Sequence, residues 1–252
     1  MIEQSQFLLE LAQLTENFPI TTNTKKLSYY NIPAAFDIET SSYYENDDKK
    51  PENKRAIMYH WQFGIWNIVT CGRTWNEFKS LLKKVSVVMD LSEAKRLIVY
   101  VHNLPYEFFF MHKHFTWDKV FFLDDKKPVY AITDFGIEFR CSLKLSGGRG
   151  LAQVGKELLC YKVEKMAGDL DYELIRTPET QLTEKEKKYC ENDIRVITSY
   201  IQEKIEHDGD ITKIPLTNTG YVRNLCRKAC FDENWQRYHR FHTIINTGIF
   251  RI

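Results

Sequence analysis

The 252-residue sequence contains little of what marks non-globular proteins: it has only 11 glycines and 7 prolines, and no long apolar run. Hydrophobic residues make up 43% of the chain and charged residues 27%, which excludes a disordered or fibrous protein. A membrane span needs about 18 consecutive apolar residues, and a signal peptide needs a basic start; both are missing. We therefore expect a cytoplasmic protein with no membrane partner.

A dense, regular spacing of cysteines and an excess of charge of one sign are also missing. The six cysteines are Cys71, Cys141, Cys160, Cys190, Cys226 and Cys230. Because they are scattered, they do not resemble a secreted disulfide framework, and we expect reduced thiols. The formal net charge of +1 argues against coating nucleic acid by charge alone. Any nucleic-acid function must therefore depend on specific sites.

Hydrophobic periodicity predicts helices and strands in mixed order. The expected elements are a helix at 7–14, a strand at 32–39, a polar loop at 41–54, strands at 56–66 and 68–71, a helix at 74–89, a buried central strand at 96–101, a helix from 104 to about 115, a hairpin of 129–133 with 137–141, and a helix capped at 183 that runs to about 207. This order predicts an α/β sandwich with a mixed central sheet flanked by helices.

The first predicted strand carries two acidic residues, Asp37 and Glu39. Because side chains alternate along a strand, these two share one face, while Phe36 and Ile38 share the other. Adjacent carboxylates repel each other unless a cation lies between them, and Mg²⁺ and Mn²⁺ prefer carboxylate ligands. The pair indicates either a divalent-metal site or a solvated strand face before a polar loop.

Asp193 interrupts an apolar stripe in the long capped helix. Tyr189, one turn earlier, and Val196 follow the same helical spacing, which places Asp193 on the inward face. A buried carboxylate needs a cation, a hydrogen-bond donor or a raised pKa. Asp193 is therefore either a metal ligand or part of a capping or salt-bridge contact, for example with Arg195 or Lys162.

Glu107 follows the predicted central strand, in the first turn of a helix that Asn103 can cap. Acidic residues are common in first helical turns because they complement the helix dipole. The carboxyl end of a strand is also where α/β sheets build sites. Both interpretations of Glu107 stay open at this point.

Three segments resemble the exonuclease motifs of family B DNA polymerases. They are Phe-Asp-Ile-Glu-Thr at 36–40, His-Asn-Leu-Pro-Tyr-Glu at 102–107 and Tyr-Cys-Glu-Asn-Asp at 189–193, in this order along the chain. Gly-Asp-Leu-Asp-Tyr at 168–172 and residues 214–223 resemble the protein-primed polymerases of bacteriophages. The resemblance extends from about residue 32 to residue 227.

This resemblance implies the amino-terminal 3′→5′ exonuclease domain of such a polymerase, with a ribonuclease-H-like (DnaQ-like) fold. It implies that two divalent metal ions, Mg²⁺ or Mn²⁺, are held by Asp37, Glu39, Glu107 and Asp193. Tyr189 matches a tyrosine that orients the attacking water. The implied reaction is hydrolysis of the 3′-terminal phosphodiester of single-stranded DNA during replication, which releases nucleoside monophosphates. Many family members have aspartate at the position of Glu107.

The resemblance also implies contacts with the 3′ end of single-stranded DNA. The matching residues are Thr40, Asn103, Tyr106, Ser142, Leu143, Lys165 and Tyr172. The Tyr106 ring can stack on unpaired bases without reading their sequence, which suits proofreading. Lys165 lies slightly farther upstream than the lysine of the phage proteins.

The resemblance predicts two parts of the chain. Residues 1–212 would form the exonuclease domain, with residues 1–30 as an amino-terminal extension, and residues 213–252 a basic, helical segment leading toward a polymerase domain. Polymerase motifs are absent from this chain, so the expected partners are a separate polymerase domain and a terminal protein. The alternative is a module that binds single-stranded DNA or a terminal protein and whose nuclease is weak or lost. A phage-encoded chain would act in the cytoplasm of a bacterial host.

The last weak signal combines Cys226 and Cys230 with His239 and His242. The histidine spacing is too short for a usual zinc finger, and a basic helix over 223–230 fits the segment better.

Overall fold

The computed structural model describes residues 1–45, 49–163 and 174–231. The strands in these ranges are β1 (Ile20–Thr22), β2 (Ser28–Tyr30), β3 (Ala34–Tyr44), β4 (Lys54–Ile65), β5 (Ile68–Gly72), β6 (Lys95–Val101), β7 (Trp117–Asp124), β8 (Lys127–Thr133) and β9 (Ile137–Cys141). The helices are α1 (Gln4–Thr15), α2 (Trp75–Val88), α3 (Leu104–Met111), α4 (Ser142–Leu145), α5 (Leu151–Lys156) and α6 (Glu184–Asp208), followed by α7 over residues 218–231. None of the helices in the described ranges is both long and apolar enough to cross a bilayer.

The described strands form one mixed sheet, in the order β5-β4-β3-β6-β9-β8-β7. Strands β3, β6 and β9 run parallel, whereas β4, β5, β7 and β8 pair with their neighbours antiparallel. Strand β2 adds to β6, and β1 adds to β2. The predicted mixed α/β sheet is therefore confirmed. Because β6 and β9 are parallel, their carboxyl ends meet at the same edge of the sheet, which is where α/β sheets build sites.

Alternation along β3 assigns its residues to two different cores. Phe36 and Ile38 join the core beneath α1, α2 and α3, while Ala35 joins the core beneath α5 and α6. Asp37 and Glu39 follow Ala35 with a period of two, so they face the side that α6 covers. The strand therefore orients both carboxylates toward the helix that carries Asp193.

Most predicted elements are confirmed to within a few residues, including the helix that begins after Thr183, but several regions differ. Residues 41–44, expected to be loop, belong to β3 because they pair with the first part of β4. Helix α3 ends at Met111 and not near residue 115. Side chains satisfy carbonyl groups at its end: Trp117 Nε1 donates to the carbonyl of His112, and His112 Nδ1 lies 2.8 Å from the carbonyl of Phe109. Strand β7 was not predicted, and neither were β1 and β2. Most β7 side chains are exposed, so the strand lacks the alternation that would identify it.

A glycine in β4 sets how closely α6 approaches the sheet. A methyl group at Gly64 would lie 2.5 Å from Cγ2 of Ile194 on α6, which is closer than packed carbon atoms come. Gly64 pairs with Ala35 on β3, so two small residues lie side by side under the helix. Because Ile194 adjoins Asp193 in sequence, this close contact also sets the distance from Asp193 to β3.

We expect Gly64→Ala to lower the free energy of unfolding by about 1–3 kcal/mol, because the added methyl overpacks the interface between α6 and β4. Urea denaturation followed by circular dichroism measures this loss. Gly150→Ala is the matched control, since nothing lies within 4 Å of the added methyl and its φ is −65°. The control substitution should lower the free energy of unfolding by only about 0.5 kcal/mol, because alanine is less favourable than glycine at the N-cap position of a helix. Equal losses in both variants would contradict the packing argument.

Candidate active site

Three carboxylates from two elements form one cluster. Asp37 and Glu39 come from β3 and Asp193 from α6, and one ligand atom of each lies within 4.8 Å of the others. Asp193 is 5% exposed, as the helical spacing predicts for an inward-facing residue. The structure thus brings together three of the four acidic residues suggested by the motifs, in a group that could hold a metal ion.

Gln62 connects the two carboxylates of β3. It is the register partner of Asp37, fully buried, and its Nε2 donates to Asp37 Oδ2 at 2.8 Å and to Glu39 Oε1 at 3.5 Å. Such amide donors hold carboxylate groups in a fixed orientation. Sequence reasoning missed Gln62. The only signal was a polar residue between Trp61 and Phe63, and its position opposite Asp37 depends on strand register.

The Cys190 thiol lies in the negatively charged surroundings of the cluster. It is buried and donates to Glu39 Oε1 at 3.7 Å. Burial, and then the negative charges of Glu39, Asp37 and Asp193, hold the pKa of the Cys190 thiol far above its ordinary value. The thiol therefore stays protonated, and its surroundings favour cations. This position was also missed, because a cysteine in a helix is usually an apolar packing residue.

Glu107 lies in the first turn of α3, after β6 ends. It is 4% exposed, and its Oε2 has no hydrogen-bond partner among the described residues. Burial, together with the charge of nearby Glu39, raises the pKa of Glu107 well above its ordinary value, although a backbone amide opposes the shift. An orphaned carboxylate oxygen beside a cluster of three other carboxylates suits a hard divalent cation. The donor set therefore fits the Mg²⁺ or Mn²⁺ that the motifs imply.

Thr40 and Tyr106 join β3 to α3 at the rim of the cluster. The Thr40 hydroxyl and the Tyr106 hydroxyl form a hydrogen bond, and the Tyr106 side chain is 43% exposed. Asn103 occupies the position before α3, but its side chain makes no capping hydrogen bond, so that prediction was wrong. The Asn103 side chain is instead exposed, next to Tyr106 in the same turn.

The remaining predicted DNA contacts are less exposed or lie outside the described residues. Ser142 is 1% exposed and its hydroxyl lies 3.1 Å from His102 Nδ1, because β6 and β9 end side by side. Leu143 packs partly against the core. Tyr189, which the resemblance assigns to orienting the attacking water rather than to DNA contact, is buried on α6, one turn before Asp193. Lys165 and Tyr172 lie outside the described residues.

Two arginines that sequence reasoning did not single out hold the segment before α6 near the cluster. Arg176 is 5% exposed, pairs with Glu186 at 2.7 Å and donates its backbone amide to Ser41 on β3. Arg73 donates to backbone carbonyls of residues 177, 178 and 180. Both arginines lie against the Tyr59 ring. The guanidinium carbon of Arg73 is 6.0 Å from the ring centre, and that of Arg176 is 5.8 Å from it.

The four residues of the weak cysteine and histidine pattern lie near the end of the chain. Cys226 and Cys230 are exposed on α7, and His239 and His242 lie outside the described residues. All six cysteines are free thiols. The basic helix predicted over 223–230 is confirmed as part of α7. Arg195, one of the two residues considered as a partner of Asp193, pairs with Glu191 at 2.5 Å.

Comparison with known proteins agrees with this architecture. No protein-family model matches the sequence, and no curated protein sequence matches it significantly. Among solved structures, phi29 DNA polymerase complexed with primer-template DNA and incoming nucleotide is similar with a TM-score of 0.50 and 16% identity, over 69% of this chain and 31% of the polymerase. The catalytic core of RRP6 from Trypanosoma brucei gives a TM-score of 0.43 and 8% identity, over 85% of this chain and 49% of that one. This chain therefore spans about a third of the polymerase. The predicted ribonuclease-H-like fold, a mixed central sheet flanked by helices, is confirmed.

We expect Asp37→Asn to stabilise the protein without divalent metal and to weaken its response to metal. Removing one negative charge relieves repulsion within the cluster, so the midpoint of thermal unfolding in EDTA should rise. Saturating Mn²⁺ should stabilise the wild type by about 3 kcal/mol at a concentration near a hundred times its Kd, and the variant by much less.

Differential scanning calorimetry with and without Mn²⁺ measures both effects. Asp118→Asn is the matched control, because Asp118 is exposed on β7 and distant in the sheet order from β3. Equal stabilisation of wild type and Asp37→Asn by Mn²⁺ would show that the cluster does not bind the ion.

Proposed function

We propose that this chain is a 3′→5′ exonuclease that hydrolyses the terminal phosphodiester of single-stranded DNA, in a proofreading role. The carrying observation is the cluster of Asp37, Glu39 and Asp193 within 4.8 Å, beside buried Glu107, on an exonuclease-like fold. The motif resemblance and the likeness to a DNA polymerase structure support DNA rather than another phosphodiester as the substrate. We further propose that the chain corresponds to the exonuclease part of a phage-type, protein-primed family B polymerase.

Asp37, Glu39 and Asp193 would hold divalent cations, and Glu107 would add the fourth carboxylate. When bound, Mg²⁺ or Mn²⁺ would offset the charge of the scissile phosphate and would lower the pKa of a bound water molecule toward neutral pH. Gln62 keeps Asp37 and Glu39 in one orientation, so the ligands need little rearrangement. We propose that two ions bind.

Two tyrosines act at the 3′ end of the strand, one on the attacking water and one on a base. Tyr189, buried one helical turn before Asp193, orients the attacking water through its hydroxyl group. Tyr106 exposes its ring at the rim of the cluster and stacks on a base near the 3′ end. The hydrogen bond to Thr40 holds that ring in place. Asn103, Ser142, Leu143, Lys165 and Tyr172 complete the proposed contacts with the strand.

The division of the chain follows from the same resemblance. We propose that residues 1–212 form the exonuclease domain and that residues 213–252 lead toward a polymerase domain. That polymerase and a terminal protein are the proposed partners. A module that only binds single-stranded DNA or a terminal protein is the competing function, and the next experiment separates the two.

We expect the purified chain to shorten a 5′-labelled single-stranded oligonucleotide from its 3′ end in Mg²⁺ or Mn²⁺. Asp37→Ala or EDTA should abolish cleavage, because both remove the cation from the scissile phosphate. Denaturing gel electrophoresis of the labelled products shows the direction and the loss. A 3′-labelled duplicate should release a labelled mononucleotide as its first product.

Asp118→Ala is the matched control and should cut like the wild type. A wild-type protein that folds and binds the oligonucleotide but leaves it intact in both metals would overturn the nuclease. Binding that is unaffected by EDTA and by Asp37→Ala would then favour the binding module.

Replacing Tyr106 should affect substrate binding more than turnover. Loss of the ring in Tyr106→Ala should raise KM roughly tenfold, since base stacking on an aromatic ring contributes about 1–3 kcal/mol. Tyr106→Phe keeps the ring and loses only the bond to Thr40, so KM should rise about threefold. Steady-state kinetics on one oligonucleotide separates KM from kcat. Equal losses in the two variants would assign the effect to the hydroxyl rather than to stacking.

A further inference from the structure

Arg176 joins the two elements that carry the cluster of carboxylates. Its backbone amide donates to the Ser41 hydroxyl on β3 at 2.9 Å, and its guanidinium pairs with Glu186 on α6 at 2.7 Å. Ser41 lies two residues after Glu39 on the strand, so both side chains face α6. Glu186 lies seven residues before Asp193, which places both on one face of the helix. One arginine therefore connects the part of β3 and the face of α6 that form the cluster.

The Glu186 carboxylate uses its two oxygens for two different contacts. Oε2 accepts from the backbone amide of Thr183 at 2.7 Å, within the capping box that begins α6. Oε1 accepts from Nε and from a terminal nitrogen of Arg176, at 3.1 Å and 2.7 Å. Two nitrogens of a planar guanidinium fix the direction of this contact, which the single nitrogen of a lysine cannot do. The first turn of α6 is thus oriented by a residue that is also bound to β3.

A β-bulge lies at the same place in the sheet. The register of β3 and β4 shifts between Glu39 and Thr40, which leaves Tyr59 as the extra residue in β4. Bulges beside active sites change the direction of nearby side chains. The buried Tyr59 ring lies against the guanidinium groups of Arg73 and Arg176. Arg176 therefore also contacts the irregular point of the strand pair next to Glu39.

Neither charge nor burial accounts for an arginine at this position. The Arg176 side chain is 5% exposed and that of Glu186 is 14% exposed, and a buried ion pair gains little over its desolvation cost. Burial raises the pKa of the Tyr59 hydroxyl, Glu39 raises it further and Arg176 opposes the shift, so the guanidinium lies near the cluster. A positive charge there repels a divalent cation. Directional contacts with three elements are what the arginine supplies.

We propose that Arg176 is a positioning residue that sets the distance between β3 and the start of α6, and thereby the spacing of the carboxylates. The inference rests on the proposed function, because this spacing matters for a cluster that holds divalent cations. Gly64 sets how closely α6 approaches the sheet next to Asp193, and Arg176 sets the approach two helical turns earlier. A helix held at two points along its length keeps its tilt relative to the strand.

Binding of Mn²⁺ to the purified chain without DNA tests the proposal, with free Mn²⁺ measured by electron paramagnetic resonance. Arg176→Gln should weaken Mn²⁺ affinity at least about tenfold, as loss of groups that orient metal ligands does. The direction of the change separates two causes, because removing a nearby positive charge would by itself strengthen cation binding. Arg176→Lys keeps the charge and one hydrogen bond, so it should weaken the affinity only about threefold.

Arg140→Gln is the matched control. Arg140 also forms a buried ion pair at 2.7 Å, but its partner Glu138 lies on the same strand, so that pair does not link β3 to α6. Both glutamine variants should lower the midpoint of thermal unfolding, because each leaves a buried glutamate without its arginine. Only Arg176→Gln should lose Mn²⁺ affinity. Arg176→Lys and Arg140→Lys provide the same comparison if a glutamine variant does not fold.

Mn²⁺ affinity that is unchanged or higher in Arg176→Gln would overturn the positioning role, and so would an equal loss in Arg140→Gln. The cleavage assay with Mg²⁺ is run in parallel and tests the proposed function separately. A wild type that binds Mn²⁺ without cleaving DNA contradicts the nuclease, and the affinities of the variants still decide the role of Arg176. A wild type that binds no Mn²⁺ overturns both.

Discussion

The close packing of α6 on the sheet is the contact on which the candidate site depends. Asp193 lies on a helix and Asp37 and Glu39 on a strand, far apart in sequence, so only the height of the helix above the sheet brings them together. Gly64 removes the side chain that would hold Ile194 away. The same residue therefore contributes to the core and to the spacing of the carboxylates, and a change in one changes the other.

Bringing carboxylates together has an electrostatic cost, and two neutral groups hold the carboxylates of β3 in place. Gln62 donates to both carboxylates of β3, and the Cys190 thiol donates to Glu39, but neither carries a positive charge. Groups of like charge at active sites often lower stability in exchange for function, and this group of carboxylates could hold a metal ion.

The carboxylates and the exposed aromatic groups lie on different elements. Carboxylates lie on β3 and α6, whereas aromatic and basic groups extend from the start of α3 toward the start of α2. The bond between Thr40 and Tyr106 joins the two regions, because Thr40 follows Glu39 directly and Tyr106 precedes Glu107.

Periodicity in the sequence alone determined which face each acidic residue occupies. Alternation put Asp37 and Glu39 on one face of a strand, and helical spacing turned Asp193 inward, because local backbone geometry sets both patterns. Tertiary structure alone decided what those side chains meet. Gln62 lies opposite Asp37 through strand register, and Arg176 lies where β3, β4 and α6 converge. Register and convergence depend on contacts between residues distant in the chain, and local sequence patterns carry no record of such contacts.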